Sequence, residues 1–167
     1  MRSRLTSARL ELTSVQREDA SDLHVLFGDP LTHTIGAGAL SHVGETAGWI
    51  DRRLAVQREH GLRYYVARHH SDGELVAACG LLLTRARAAE PEIGWEVHHP
   101  FRRQGLATEI ASRVLQECDR FGLQRVWATI RPSNAASLTV AARVGFRRDR
   151  MEHDQKGELM YLLRQIR

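Results

Sequence analysis

Hydrophobic and polar positions alternate along the chain with two different periods, which predict strands and helices in turn. A two-residue alternation in RLELTSV, Arg9 to Val15, predicts a first strand. Apolar side chains then recur at helical spacing from Arg17 to Phe27, which predicts an amphipathic helix. Gly28, Asp29 and Pro30 follow and end that helix.

The rest of the chain continues this pattern after one irregular segment. Leu31 to Val43 is rich in glycine and has no regular period, and loops of this length are often binding loops. Helical periodicity returns in three segments: Gly44–His60, Leu106–Phe121 and Asn134–Val144. Strands are predicted in six more: Leu62–His69, Glu74–Thr84, Glu90–His98, Arg125–Ile130, Phe146–His153 and Glu158–Leu163. This order predicts an α/β fold with a mixed sheet, formed by one domain over residues 1–167.

Composition excludes several classes of protein. With 167 residues, 43% hydrophobic and 26% charged, the chain suits one domain with a sizeable core. It has no run of about 18 apolar residues and no apolar signal segment, so we expect a cytoplasmic protein without a membrane partner. Cys79 and Cys118 have no metal-type spacing and are predicted to be buried thiols. The nine histidines form no HExxH pattern, and no metal is expected.

The formal net charge of +4 indicates an anionic ligand. Nucleic acid is one class of such ligand. However, Lys156 is the only lysine and the arginines are spread along the chain, so a small anion fits at least as well. Binding to nucleic acid is therefore the weaker alternative.

The strongest chemical signal is a basic turn between a predicted strand and a predicted helix, within EPEIGWEVHHPFRRQGLATEIA, Glu90 to Ala111. Small residues at Gly105 and Ala107 allow close approach of a ligand to the backbone. Unpaired amides and the positive end of the helix dipole favour a phosphate or diphosphate there. An ordinary strand–helix connection with solvated arginines is the alternative. We call Arg102–Ala107 the basic turn.

Several motifs, taken in order, resemble the GNAT superfamily of acyl-CoA N-acyltransferases, and most closely its RimJ/RimL branch of ribosomal-protein N-terminal acetyltransferases. They cover nearly the whole chain: ARLELTSVQREDASDL, the segment Gly44 to Tyr65 containing Trp49, PEIGWEVHHPFRRQGLATE, and NAASLTVAARVGF. The resemblance implies a GNAT-like fold with a mixed central sheet of about seven strands and about four helices. It also implies a bacterial enzyme that moves an acetyl group from acetyl-CoA to an amine by direct attack.

The resemblance implies which residues hold the acetyl-CoA co-substrate. The basic turn would bind the pyrophosphate, and the pantetheine arm would pair like an added strand with Trp95 to Val97. Asn134 is also predicted to cap its helix. The full implied set is Trp95, Glu96, Val97, Arg102, Arg103, Gln104, Gly105, Leu106, Ala107, Thr108, Asn134 and Ser137.

Catalysis by direct attack needs a base or a water relay that takes a proton from the amine. Glu92 is the first candidate and His33 the second, with Glu96 and His98 also considered. The amide of Val97 would meet the oxyanion. Ser137 could stabilise the leaving thiolate, and the alternative is a solvent-facing helical serine.

The chain departs from the family pattern at two positions. Arg103 stands where the family often has glycine. Ala141 stands where many members have a tyrosine that can protonate the thiolate. The second departure supports an alternative function, a non-catalytic acyl-CoA sensor on the same fold.

The acceptor is expected to enter between the segment Leu31 to Val43 and a final hairpin, Arg147 to Lys156, of mixed charge. The sequence leaves open whether it is a protein N-terminus, an amino acid, an antibiotic or a polyamine. It also leaves open whether the protein is a monomer or a homodimer.

Overall fold

The computed structural model describes residues 1–33 and 38–166. The elements are β1 Arg4–Thr6, β2 Leu10–Ser14, α1 Ala20–Phe27, α2 Val43–His60, β3 Tyr64–His69, β4 Leu75–Arg87, β5 Glu90–Val97, α3 Leu106–Phe121, β6 Arg125–Ile130, α4 Ala135–Arg143, β7 Arg147–Asp154 and β8 Gly157–Gln165. All described strands form one eight-stranded sheet in the order β1-β2-β3-β4-β5-β6-β8-β7. This confirms the predicted α/β fold. Residues 34–37 of the predicted binding loop lie outside the described residues, and its last residue, Val43, begins α2.

The sheet is mixed because one of its strand pairs is parallel. β5 and β6 run parallel and every other neighbouring pair is antiparallel. A strand–helix–strand connection predicts this arrangement, since the crossover through α3 returns the chain in the same direction. The eighth strand is β1, whose three residues are too short for periodicity to reveal. Only its central residue, Leu5, is buried.

Two layers of helices cover the two faces of the sheet. One face packs against α3, with Ile93 and Val97 of β5 among its buried side chains. The other face packs against α1 and α2. Strand alternation turns Glu92 and Glu96 to this second face, because they stand opposite Leu82 and Ala78. Two carboxylates are therefore carried into the interior by the central strand.

Both cysteine thiols are free and buried, as expected. Burial raises the pKa of Cys118 to about 12, which keeps the thiol protonated and unreactive. In the described parts of the chain no helix is both long and apolar enough to cross a membrane. The same residues include no group of three or more His, Cys, Asp or Glu placed to hold a metal ion.

Candidate active site

The central strand β5 separates from its parallel neighbour β6 after a single pairing. Among the described residues, only Glu92 and Trp127 are paired between the two strands. β5 continues to Val97, still paired with β4. The N–H of His98 donates to the carbonyl of Val76 at 2.8 Å, so the alternation of antiparallel pairing turns the backbone groups of Trp95 and Val97 away from β4. An unpaired strand edge thus opens in the middle of the sheet, where an extended ligand can pair.

The basic turn lies just beyond this open edge. Gly105 adopts φ +80° as the residue before α3, and residues 102–105 are exposed. Since Leu106 begins α3, the amides of its first turn face the same region as the turn itself. The structure therefore places the predicted phosphate site at the end of the open strand.

The side chain of Arg102, within the basic turn, is hydrogen-bonded to two backbone carbonyl groups. Its Nε donates to the carbonyl of Val97 at 3.3 Å, and an Nη donates to the carbonyl of Thr32 at 3.1 Å. The guanidinium thereby links the end of β5 to the segment after α1. Its predicted contact with a pyrophosphate stays a prediction.

Arg9 and Glu109 hold the basic turn in place, and sequence reasoning missed both. Arg9 donates from Nη1 to the carbonyl of Gln104 at 2.9 Å and from Nε to Glu109 at 2.8 Å. The other oxygen of Glu109 accepts from the hydroxyl of Ser7 at 2.8 Å. These partners are about a hundred residues apart in sequence, so no local pattern could have joined them.

The backbone at Arg103 has a conformation that favours glycine. Arg103 is the only described non-glycine residue with a positive φ, at +64°. Glycine adopts this left-handed conformation at little cost, whereas a residue with a Cβ is strained by about 1–2 kcal/mol. The position therefore suits the glycine that the family often has there.

Replacing Arg103 by glycine is expected to stabilise the fold. Compared with Arg103→Ala, which removes the same side chain but keeps the Cβ, Arg103→Gly should increase the free energy of unfolding by about 1 kcal/mol. Urea unfolding of the two variants side by side measures the difference. Equal or lower stability of the glycine variant would show that φ at this position relaxes in solution.

Glu92 is a buried carboxylate with one unpaired oxygen. Its side chain is 5% exposed. Oε1 accepts a hydrogen bond from the hydroxyl of Thr129. Oε2 is buried and has no hydrogen-bond partner among the residues that the structure describes. Burial raises the pKa of Glu92, an effect that the bond from Thr129 and the nearby charge of Arg85 oppose only in part.

Glu92 faces a cavity of about 390 Å³, which we call the Glu92 cavity. It is lined by Arg85, Ala86, Arg87, Ala89, Glu90, Glu92, Trp127, Thr129, Arg150 and Tyr161. Arg150 belongs to the final hairpin, one of the two segments between which the acceptor is predicted to enter. The described residues of the segment after α1 do not line it. The opposite wall comes instead from the end of β4 and its turn into β5, where pairing shifts register between Leu82 and Arg87.

His33 lies away from the Glu92 cavity and pairs with Glu96. Its Nδ1 is 2.7 Å from Oε2 of Glu96, and the two side chains are only 6% and 8% exposed. The imidazole also packs on Phe27, with ring centroids 4.8 Å apart. Burial raises the pKa of Glu96, and the bond to His33 opposes that rise. The structure thus separates the two candidate bases: Glu92 faces the cavity, while His33 and Glu96 form a buried pair. His98, which was also considered, is half-buried just after β5.

The start of α4 carries the two remaining predicted contacts. The side chain of Asn134 accepts from the N–H of Ser137 at 3.0 Å, which confirms that Asn134 caps this helix. Ser137 is half-buried. Ala141, one turn later, is 1% exposed and fills the core. Trp95 packs partly against the same core, with its ring 6.4 Å from that of Phe146.

Comparison with known proteins identifies a family. A family model described as "Acetyltransferase (GNAT) domain" matches residues 9–147. The uncharacterized N-acetyltransferase YoaA of Bacillus subtilis (strain 168) is 26% identical over 148 residues, which are 87% of this chain and 83% of that protein.

Solved structures share the fold at lower identity. RimL, a ribosomal L7/L12 alpha-N-protein acetyltransferase in complex with coenzyme A, matches with a TM-score of 0.84 and 16% identity, covering 98% of both chains. The microcin C7 self-immunity acetyltransferase MccE, in complex with acetyl-CoA and AMP, matches with a TM-score of 0.80 and 13% identity over 95% of this chain and 93% of that one.

Proposed function

The chain belongs to the GNAT acetyltransferase family, and we propose that it transfers an acetyl group from acetyl-CoA to a primary amine within a ternary complex. The observation that carries the proposal is the open edge of β5, which leads directly to the basic turn. An extended amide-rich arm that ends in a pyrophosphate has the shape and charge to occupy both. The complexes of RimL with coenzyme A and of MccE with acetyl-CoA support this choice of donor.

The donor is held mainly by the backbone. Amides of the basic turn and the first turn of α3 donate to the pyrophosphate, with the helix dipole and the exposed Arg103 adding positive potential. The pantetheine amides pair with the backbone groups of Trp95 and Val97. The Arg9 contacts with Gln104 and Glu109 anchor the turn and the first turn of α3 to the start of β2. This rigidity reduces the entropy lost on binding.

The chemistry is an attack of the amine nitrogen on the thioester carbonyl carbon. The C–N bond forms, the C–S bond breaks, and the thiolate of coenzyme A leaves. Glu92 accepts the proton that the amine must lose, because its Oε2 is unpaired and its raised pKa lies closer to the working pH. The N–H of Val97 stabilises the oxyanion, and Ser137 stabilises the leaving thiolate by a hydrogen bond.

An amine screen tests this function directly. Acetyl-CoA is incubated with the protein and with amino acids, polyamines, aminoglycosides and peptides that differ in their N-terminal residue. Release of free thiol and the mass of the acetylated amine are measured together, and both should rise in equal amounts with at least one acceptor. The alanine at position 141, where the resemblance implies a tyrosine that protonates the thiolate, favours the alternative, a sensor. That alternative predicts tight binding of acetyl-CoA and no acetylated product with any amine.

A further inference from the structure

We propose that the Glu92 cavity selects an acceptor amine that also carries a carboxylate, such as an amino acid or a peptide with an acidic residue near its N-terminus. This inference rests on the proposed acetyl transfer for the role of the amine. The role of the ligand's carboxylate is inferred separately, from the charged side chains that line the cavity. Its volume of about 390 Å³ lies in the range of small-ligand sites.

The unpaired oxygen of Glu92 provides the place for the amine. A carboxylate oxygen buried without a partner is costly, and a ligand that donates a hydrogen bond removes that cost. Thr129 occupies the other oxygen, and Oε2 has almost no exposed surface, so a rotation of the Glu92 side chain would present Oε2 to a ligand in the cavity. An amine bound there neutralises the charge of Glu92 or gives up its proton to it.

Two other charged side chains of the cavity are already satisfied by the protein. Arg150 pairs with Glu152 at 2.7 Å and with Asp149 at 3.0 Å. Glu90 accepts from Arg125 at 3.2 Å and from the indole N–H of Trp127 at 3.1 Å. These groups shape the cavity wall, and their direct partners occupy them, so we do not assign a ligand ion to them.

Arg85 and Arg87 have no direct partner, although the charge of Arg85 acts through space on Glu92. Neither guanidinium forms a hydrogen bond or an ion pair with any residue that the structure describes, and both are exposed at the cavity rim. The register shift between Leu82 and Arg87 places them there, as bulges beside active sites often do. With the amine matched to Glu92, these two guanidinium groups are the donors that an anion on the same molecule can reach. Guanidinium groups bind carboxylates strongly, often through two bonds.

The same charges disfavour a polyamine. A second ammonium group in the cavity would stand near Arg85 and Arg87 with no unpaired carboxylate to receive it. Like charges in a partly desolvated cleft repel, which lowers both affinity and the rate of association.

Calorimetric binding of matched amines tests the inference without requiring turnover. The protein is saturated with coenzyme A and titrated with one of two matched pairs. The first pair is β-alanine and β-alaninamide. The second is the dipeptide amides Ala-Glu-NH2 and Ala-Gln-NH2, which differ only in the side-chain carboxylate. The carboxylate member of a pair should bind at least about tenfold more tightly at low salt. The small-molecule and peptide pairs together show which source of the carboxylate the cavity takes.

The double variant Arg85→Ala, Arg87→Ala should reduce that preference to less than about twofold. Arg58→Ala, an exposed arginine at the end of α2, serves as the control and should retain the full preference. Equal binding of charged and neutral amines, absence of binding by both, or a preference that survives the double variant would each overturn the inference. A charge preference without acetyl transfer would instead contradict the proposed function alone, and transfer without a preference would contradict the inference alone.

Discussion

Gly105→Glu is expected to abolish acetyl-CoA binding, with an increase in Kd of at least about a hundredfold, or ~3 kcal/mol. Gly105 precedes α3 at φ +80° and is exposed within the basic turn. A glutamate there would place a carboxylate against the amides and the helix dipole that are proposed to receive the pyrophosphate. It would repel the ligand and fill the space that the backbone leaves open. Isothermal titration of acetyl-CoA measures the loss.

The control for this variant is Gly73→Glu. Gly73 has φ +75°, lies in an exposed turn, and has no heavy atom within 4 Å of an added Cβ, so it carries the same conformational cost outside the basic turn. At Gly105 the nearest such atom is an Nη of Arg9 at 3.8 Å, which leaves room for a Cβ. Gly105→Ala therefore shows how much of the effect is strain alone. If a folded Gly105→Glu protein bound acetyl-CoA with unchanged affinity, the proposal that the basic turn binds the pyrophosphate would be wrong.

The sequence predicts those features of the fold that depend on neighbours along the chain. The long periodic α3, with glycines before and after it, and the capping residue Asn134 were recognisable because a few adjacent residues decide them. The strand β1 was not recognisable, since three residues with only Leu5 buried carry no period. It forms because the chain turns back and β2 supplies its hydrogen bonds.

The candidate site divides in the same way. The basic turn is one contiguous segment, and so its composition alone predicts an anion site. The pairing of His33 with Glu96 and the clamp of Arg9 on Glu109 join residues far apart in sequence, and only the tertiary fold shows them. The wall of the Glu92 cavity depends on the register shift after Leu82, which no hydrophobic pattern specifies.

Glu92→Gln is expected to lower kcat by about a hundredfold to a thousandfold while leaving the affinity for acetyl-CoA unchanged. Glutamine keeps the size of the side chain and can still accept from Thr129, but it cannot take a proton from the amine. Glu96→Gln is the matched control, because Glu96 lies on the same strand and face and is also buried, yet is paired with His33. Its kcat should stay within about threefold of the parent. A loss of kcat in Glu96→Gln without a loss in Glu92→Gln would make the His33–Glu96 pair the base instead.

The pH dependence of the two proteins separates a base from a merely structural carboxylate. Burial raises the pKa of Glu92 above its usual 4.5, so parent activity should fall as the pH drops through that raised value and Glu92 becomes protonated. The activity of the glutamine variant should lack this fall at low pH.

The stability of the parent should instead decrease as the pH rises. For a carboxyl group whose pKa is raised by folding, the stabilising contribution is full below the unfolded pKa and is lost as the pH rises through the folded pKa. At neutral pH the parent thus bears the cost of a buried charge, and Glu92→Gln should melt no lower than the parent. The decisive result is a large loss of kcat in a Glu92→Gln protein that is as stable as the parent and binds acetyl-CoA normally. If its activity also no longer falls at low pH, only a proton acceptor at Glu92 explains the combination.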